Sequence, residues 1–294
     1  MWTALALTMA GVQGCATLSP LPKPAASIGH REREATIDLH GQPLDLHLSA
    51  PVTSTPPAHA LVLYASGDGG WFGAAVGMFR TIAASGYPVV GISSRAFLHI
   101  ERPSKGPLSL AQVAADYAAI LARARRELAL APETPAILTG WSRGAALAVL
   151  ASEGSVDARD AAGVIAIGLA NREDLRVDAE ATDDDDPVQG EALTSRFAPY
   201  EILARHASMP SAVIQASGDA YLPAAQARRL FGHESPTHRF VEVPGRNHRF
   251  GGAEQQFVHA FGDVLHWIAG CASSAAAPAV ARRSIDRGDG PCPA

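Results

Sequence analysis

The chain has little of what would mark it as metal-bound, membrane-spanning or nucleic-acid-binding. Only three cysteines, Cys15, Cys271 and Cys292, occur in 294 residues. Their spacing matches neither a zinc site nor a thioredoxin-type pair, so no metal or organic cofactor is implied. No apolar run reaches the 18 residues of a membrane span. Positive charge is not in excess: the formal net charge is −5 and there is no basic stripe, which argues against nucleic acid as a partner. The acidic run Asp183–Asp186 lacks the spaced ligands and glycine of a calcium loop and reads as solvated. What remains is a chain of ordinary apolar content, long enough for one large α/β domain or at most two small ones.

The N-terminus lacks basic residues but has a short apolar stretch, Trp2 to Val12, ending in Val12-Gln13-Gly14-Cys15. It resembles a bacterial lipoprotein signal, with an aliphatic residue three before a cysteine and a small one directly before it. Cys15 is then the lipidated residue and residues 1–15 the signal segment. The alternative is a plain cleaved signal in which the cysteine is incidental. With Cys15 lipidated, only Cys271 and Cys292 remain for a disulfide. Residues 16–34, with Pro20, Pro22 and Pro24, read as a tether. Residues 271–294 are rich in Ala, Ser and Pro and read as a disordered tail.

Between tether and tail, strand and helix patterns alternate over residues 35–270. Ala35–Leu39 and Leu44–Leu48 around Gly41 predict an antiparallel hairpin at a sheet edge. Short apolar runs at Ala60–Ala65, Pro88–Ile92, Pro135–Thr139, Val164–Leu169, Ser211–Ala216 and Arg239–Val243 predict buried strands. Helices are expected up to about Ser85, over Ser109–Leu130, after Gly144, over Pro223–Phe231 and over Glu254–Ile268. This alternation predicts a mostly parallel sheet with helices on both faces. It is broken at about 170–208, which reads as a lid-like insert with a short helix over Phe197–His206.

Gly140-Trp141-Ser142-Arg143-Gly144 fits G-x-S-x-G, the nucleophile elbow of serine hydrolases. The motif is weak alone, but it sits between a strand pattern and a run of good helix formers. A side chain at 140 or 144 would collide with the neighbouring strand or helix. The turn strains Ser142 and sets it at a helix N-terminus, where the dipole favours developing negative charge. A serine nucleophile needs a base, and the base an acid. In α/β-hydrolases they follow in the order Ser, Asp/Glu, His, on loops after strands. Asp219 and His248 meet both conditions. Asp174 is the rival acid, and Asp219 could be a plain turn residue. Among eleven histidines, His259 and His266 fall within the last helix and His238 opens a strand.

The oxyanion hole needs two backbone N–H donors. One is expected from Arg143, the other from Ser66-Gly67-Asp68-Gly69-Gly70-Trp71, through Asp68 or alternatively Gly69. An Asp beside an oxyanion hole opposes the developing charge. It makes sense if Asp68 pairs with a substrate ammonium, or if it only caps the next helix. Arg95 or Arg143 would take a substrate phosphate. Asp68, Trp71 and Arg95 are the candidate substrate-binding residues.

Ser66–Trp71 resembles the signature of the bacterial VirJ/AcvB virulence-protein family, α/β-hydrolases exported to the periplasm. The likeness runs over about residues 60–265, through Val89-Val90-Gly91-Ile92-Ser93-Ser94-Arg95, the elbow and His248-Arg249-Phe250. It implies an α/β-hydrolase fold with Ser142 as nucleophile, Asp219 as acid and His248 as base. It also implies hydrolysis of aminoacyl esters of phosphatidylglycerol and a secretion-system partner. The chain departs from the family pattern at Arg143, where an aromatic residue is usual, and in the acidic insert. The expectation is a periplasmic, membrane-anchored serine esterase acting through an acyl-enzyme on Ser142. The alternatives are a general carboxylesterase or lipase, and a non-catalytic secretion-associated binding protein with a hydrolase fold.

Overall fold

Strands that are apolar on every residue need cover on both faces, and the fold supplies it. The computed structural model describes residues 29–52, 60–100, 108–155, 157, 159–174, 196–206 and 208–276. The expected signal segment with Cys15, the run Asp183–Asp186, and Cys292 with most of the tail lie outside the described residues. An eight-stranded sheet runs in the order β1-β2-β4-β3-β5-β6-β9-β10. Its strands are β1 (His30–Leu39), β2 (Gln42–Pro51), β3 (Leu61–Ala65), β4 (Val89–Ile92), β5 (Ala136–Trp141), β6 (Gly163–Ile167), β9 (Ser211–Ala216) and β10 (His238–Val243). From β4 to β10 neighbouring strands are parallel, and β1 and β2 form the antiparallel edge.

The seven helices of the described residues are α1 (Ala74–Ala84), α2 (Ser94–His99), α3 (Leu110–Glu127), α4 (Arg143–Gly154), α5 (Pro199–Leu203), α6 (Ala224–Phe231) and α7 (Glu254–Ala276). In β3, Leu61, Leu63 and Ala65 join a core with residues of α3 and α4. Val62 and Tyr64 join a second core with α1 and α7. One strand therefore feeds both layers by simple alternation, and the mostly parallel, doubly covered sheet expected from the sequence is present.

The edge hairpin turns at His40–Gly41, both left-handed with φ of 57° and 81°, as a two-residue hairpin of the I′ kind requires. Asp38 accepts from the Gly41 N–H, and His40 meets the buried Asp116 of α3 at 2.8 Å. Ser109 caps α3 through a reciprocal capping box with Gln112.

Several elements differ from expectation, four of them near the site or the chain ends. β1 begins at His30, so the end of the expected tether is strand, paired residue for residue with β2. α2, unforeseen, follows β4 and is capped by the Ser93 hydroxyl. β5 extends through Gly140 and Trp141, which pair with Ala166 and Ile167 of β6. α7 continues past Ile268 to Ala276, with Cys271 and Ala272 buried. Ala and Ser read as tail composition, but alanine is the best helix former, and this stretch has a core to lie on. The insert leaves and rejoins the domain through a two-stranded ladder, β7 (Glu173–Asp174) with β8 (Arg196–Phe197).

Candidate active site

Ser142 stands alone between the last residue of β5 and the first of α4, with φ 57° and ψ −123°. Such a conformation costs on the order of 1–3 kcal/mol and persists only where its surroundings over-determine it. Here they do. The Ser142 N–H donates to Ile167 O of β6 at 2.8 Å. A Cβ on Gly140 would overlap the Gly144 carbonyl, and one on Gly144 would overlap the carbonyls of Ala65 and Ser66. The elbow glycines are thus required by space, the first against the helix and the second against β3.

His248 is carried by the loop after β10. Asn247 folds this loop by accepting from the Arg249 and Gly251 N–H groups, both at 3.0 Å. Phe250 locks it, fully buried against Phe257 despite a φ of 58°. The imidazole lies against Gly168, where a Cβ would come within 2.7 Å of Cε1. Because Ser142 is bonded to the residue before Gly168, serine and imidazole both lie at the C-terminal end of β6. His248 Nε2 is buried and makes no hydrogen bond among the described residues. In serine hydrolases without substrate the serine–histidine bond is often loose.

Asp219 is the carboxylate that meets His248. Asp219, 1% exposed, accepts from His248 at Nδ1 with 2.7 Å to Oδ2. Its other oxygen accepts from the Tyr221 N–H at 3.0 Å. The pair fixes the tautomer, with the proton on Nδ1 and a lone pair on Nε2. Asp219 also acts on Tyr200 of α5, whose phenol is held above its ordinary range by burial first and by the Asp219 charge second.

Three contacts at this site were not legible in the sequence. Trp141 donates its indole N–H to the His248 carbonyl at 3.2 Å and stacks on the imidazole at 5.5 Å. Tyr221 meets the same ring edge-on at 4.9 Å while 68% exposed. Gln215 of β9 donates its amide to Asp219 Oδ2 at 3.0 Å. Only the last carries a sequence signal, a polar residue inside an otherwise apolar strand.

The loop Ser66–Trp71 lies against the serine, and a Cβ on Gly67 would stand 3.5 Å from the Ser142 Cβ. The Gly67 carbonyl is occupied by the Ser94 hydroxyl and the Gly70 N–H. No carbonyl of the described residues accepts from the N–H of Asp68 or Gly69. Arg143 opens α4, so its N–H has no carbonyl one turn back. The two expected sources of oxyanion donors thus flank the nucleophile. Asp68 is exposed and does not cap α1, whose N-cap is Gly73 without a side-chain bond. Arg95 lies against Gly70, exposed and without an ion pair among the described residues.

Two expected roles are redirected. The Trp71 ring stacks on His47 at 4.0 Å and fills the space over Gly91 of β4, so it is packing for the sheet edge. Phe72, 64% exposed and against Gly69, is the aromatic on this rim. The Arg143 guanidinium is held by Glu173 of β7 at 2.9 Å, which ties the start of α4 to the root of the insert. Among the described residues no cluster of His, Cys, Asp or Glu forms a metal site, and no helix is long and apolar enough to cross a membrane.

Residues 59–184 match the model of the family described as bacterial virulence protein (VirJ). The match holds the Ser66–Trp71 loop and the elbow, and it stops short of Asp219 and His248, so it is shorter than the likeness expected from the sequence. No curated protein matches the chain. The fold is that of the α/β-hydrolases. Est1E from Butyrivibrio proteoclasticus superposes with a TM-score of 0.57 at 14% identity, over 80% of this chain and 98% of its own. The esterase domain of a Rhodothermus marinus protein superposes at 0.52 and 19%, over 81% and 98%. The acylaminoacyl peptidase of Pyrococcus horikoshii superposes at 0.58 and 14%, over 84% of this chain and 42% of the peptidase. At these identities the likeness is one of fold.

Proposed function

We propose, with the VirJ-family match as premise, that the chain is an exported serine ester hydrolase and that its substrate is an aminoacyl ester of phosphatidylglycerol. The observation that carries the hydrolytic reading is the 2.7 Å Asp219–His248 bond at the strained Ser142. The Ser142 hydroxyl attacks the ester carbonyl while His248 Nε2 takes its proton. The oxyanion is held by the N–H of Arg143 and that of Asp68 or Gly69. The imidazolium, stabilised by Asp219, returns the proton to the departing glycerol oxygen. A water, deprotonated by the same nitrogen, then releases the amino acid from the acyl-enzyme.

Two features support the aminoacyl preference. Asp68 is exposed, beside the serine and free of a capping role, so its charge is available to an ammonium next to the scissile carbonyl. Arg95, across the same loop and without an ion pair among the described residues, suits the phosphate on the alcohol side. Export is the companion reading, with Cys15 as the proposed lipid attachment.

The test compares kcat/KM for alanyl- or lysyl-phosphatidylglycerol with that for the same ester acetylated on its amine. A hydrogen bond to a charged group is worth about 1.5–3 kcal/mol, so the wild type should prefer the free amine by roughly ten- to a hundredfold. Asp68→Asn should lose this preference and keep its activity on a neutral ester, because the backbone donor survives. Equal values for amine and acetamide in the wild type would leave a general carboxylesterase as the better description.

A further inference from the structure

We propose that Gln215 is a positioning residue for the acid–base pair, one amide that sets both the charge of Asp219 and the loop that presents it. The inference rests on reading Ser142, His248 and Asp219 as a catalytic triad. Gln215 is fully buried near the C-terminal end of β9, where every neighbour in the strand is small or apolar. Glutamine is rarely placed so deep. Its Nε2 reaches two acceptors, Asp219 Oδ2 at 3.0 Å and Leu222 O at 2.6 Å. Both partners can only accept, so the amide orientation is fixed by chemistry. The Oε1 atom is buried with no hydrogen bond among the described residues. A leaving-out of that acceptor would stabilise the strand, so its retention points to a use for the N–H groups.

That use is visible in the geometry. The amide bridges both ends of the segment 219–222, which carries the acid and also Tyr221, the aromatic set edge-on against His248. It donates to the same carboxylate oxygen that accepts from His248, whereas the other oxygen is taken by the Tyr221 N–H. The carboxylate therefore cannot rotate without breaking three bonds. The donor also draws charge from Oδ2, which moderates how strongly Asp219 favours the imidazolium. The titratable groups facing the pair are Tyr221 from the same loop and Tyr200 from α5, with Arg249 adjacent to His248 in the chain.

The test is a pH profile of kcat and KM on a neutral aryl ester for two variants, with folding checked by circular dichroism and Tm. Gln215→Met removes the donor at similar volume. Its kcat should fall roughly ten- to a hundredfold with KM within about twofold. The acid limb should move to higher pH, because an undiminished Asp219 charge raises His248. Gln215→Glu places a second carboxyl on Asp219. One proton is shared between the two, so an O–H donor replaces the N–H, and kcat near neutral pH should exceed that of Gln215→Met. A new falling limb should then appear on the alkaline side as the shared proton leaves. Unchanged kcat and acid limb in folded Gln215→Met, with no alkaline limb in Gln215→Glu, would overturn the proposal. If wild-type Ser142 resists a fluorophosphonate probe, the triad reading itself fails. The NMR titration of His248 then decides the Gln215 claim alone: the Met variant must raise its pKa, and an unmoved pKa rejects it.

Discussion

At the scale of single residues, Ser142 gathers three constraints that a helix-capping serine does not need. Its backbone is left-handed in φ, its N–H is bonded across to β6, and its side chain makes no capping bond. Such strain is maintained only by surroundings that gain nothing from serine in particular, so alanine should be accommodated there without loss of fold. Ser142→Ala is expected to keep the wild-type Tm within a degree or two while kcat falls on the order of 10⁶-fold, as removal of a triad serine does elsewhere. Probe labelling and ester turnover on the same folded sample check both halves. Persistent labelling of the variant would remove Ser142 from the mechanism.

At the scale of elements, the elbow is a three-way contact of β3, β5 and α4, and the glycines are where these approach most closely. A methyl group on Gly144 meets two backbone carbonyls of the β3 end, and backbone cannot yield as a side chain would. Overpacking of this kind costs about 3 kcal/mol or more. At roughly 2–4 °C per kcal/mol for a domain of this size, Gly144→Ala should lower Tm by about 10 °C. It should also separate the Gly67 backbone from the serine and so damage activity beyond what the lost stability explains. A thermal melt of Gly144→Ala with unchanged Tm would mean that α4 and β3 are not packed this closely. The position of β5 was readable from its apolar run, but its last two residues were not, because Gly140 is strand through its pairing with β3 and β6 and Trp141 through its pairing with β6.

For the whole molecule, the loops of the candidate site leave the same edge of one sheet, at the C-terminal ends of β3, β5, β9 and β10, where parallel α/β folds gather their sites. Cys15 lies outside the described residues and far in the chain from Ser142, Asp219 and His248, so the proposed anchor and the proposed chemistry can be tested separately. Cys15→Ser should therefore move the protein from the membrane to the soluble fraction of a cell extract with its esterase activity per mole retained. Stable anchoring needs more than one acyl chain, each buried CH₂ adding about 0.8 kcal/mol. Unchanged membrane association of the variant would defeat the lipoprotein reading. The buried Cys271, on a helix longer than its composition suggested, ties the end of α7 to the core beside Trp267 and Ile268.

Local pattern by itself determined most of the element order, the elbow, the doubly covered sheet, and the order Ser142, Asp219, His248. These are legible because periodicity, glycine placement and chain order are properties of neighbouring residues. What lay beyond it were choices between distant groups. Asp174 and Asp219 both follow strands, and only the folded loop after β10, closing on β9, brings one of them within 2.7 Å of His248. Trp71 and Phe72 are adjacent aromatics, and the packing space over Gly91 decides which is half-buried against the sheet and which stands at the rim. Arg143 reads as a free cation until Glu173 arrives from thirty residues away. Gln215 passes as one polar residue in an apolar run until its amide is seen to meet Asp219. The first three depend on segments remote in sequence that the fold brings together, which no local pattern encodes, whereas Gln215 is only four residues from Asp219 and the turn after β9 is what closes that pair.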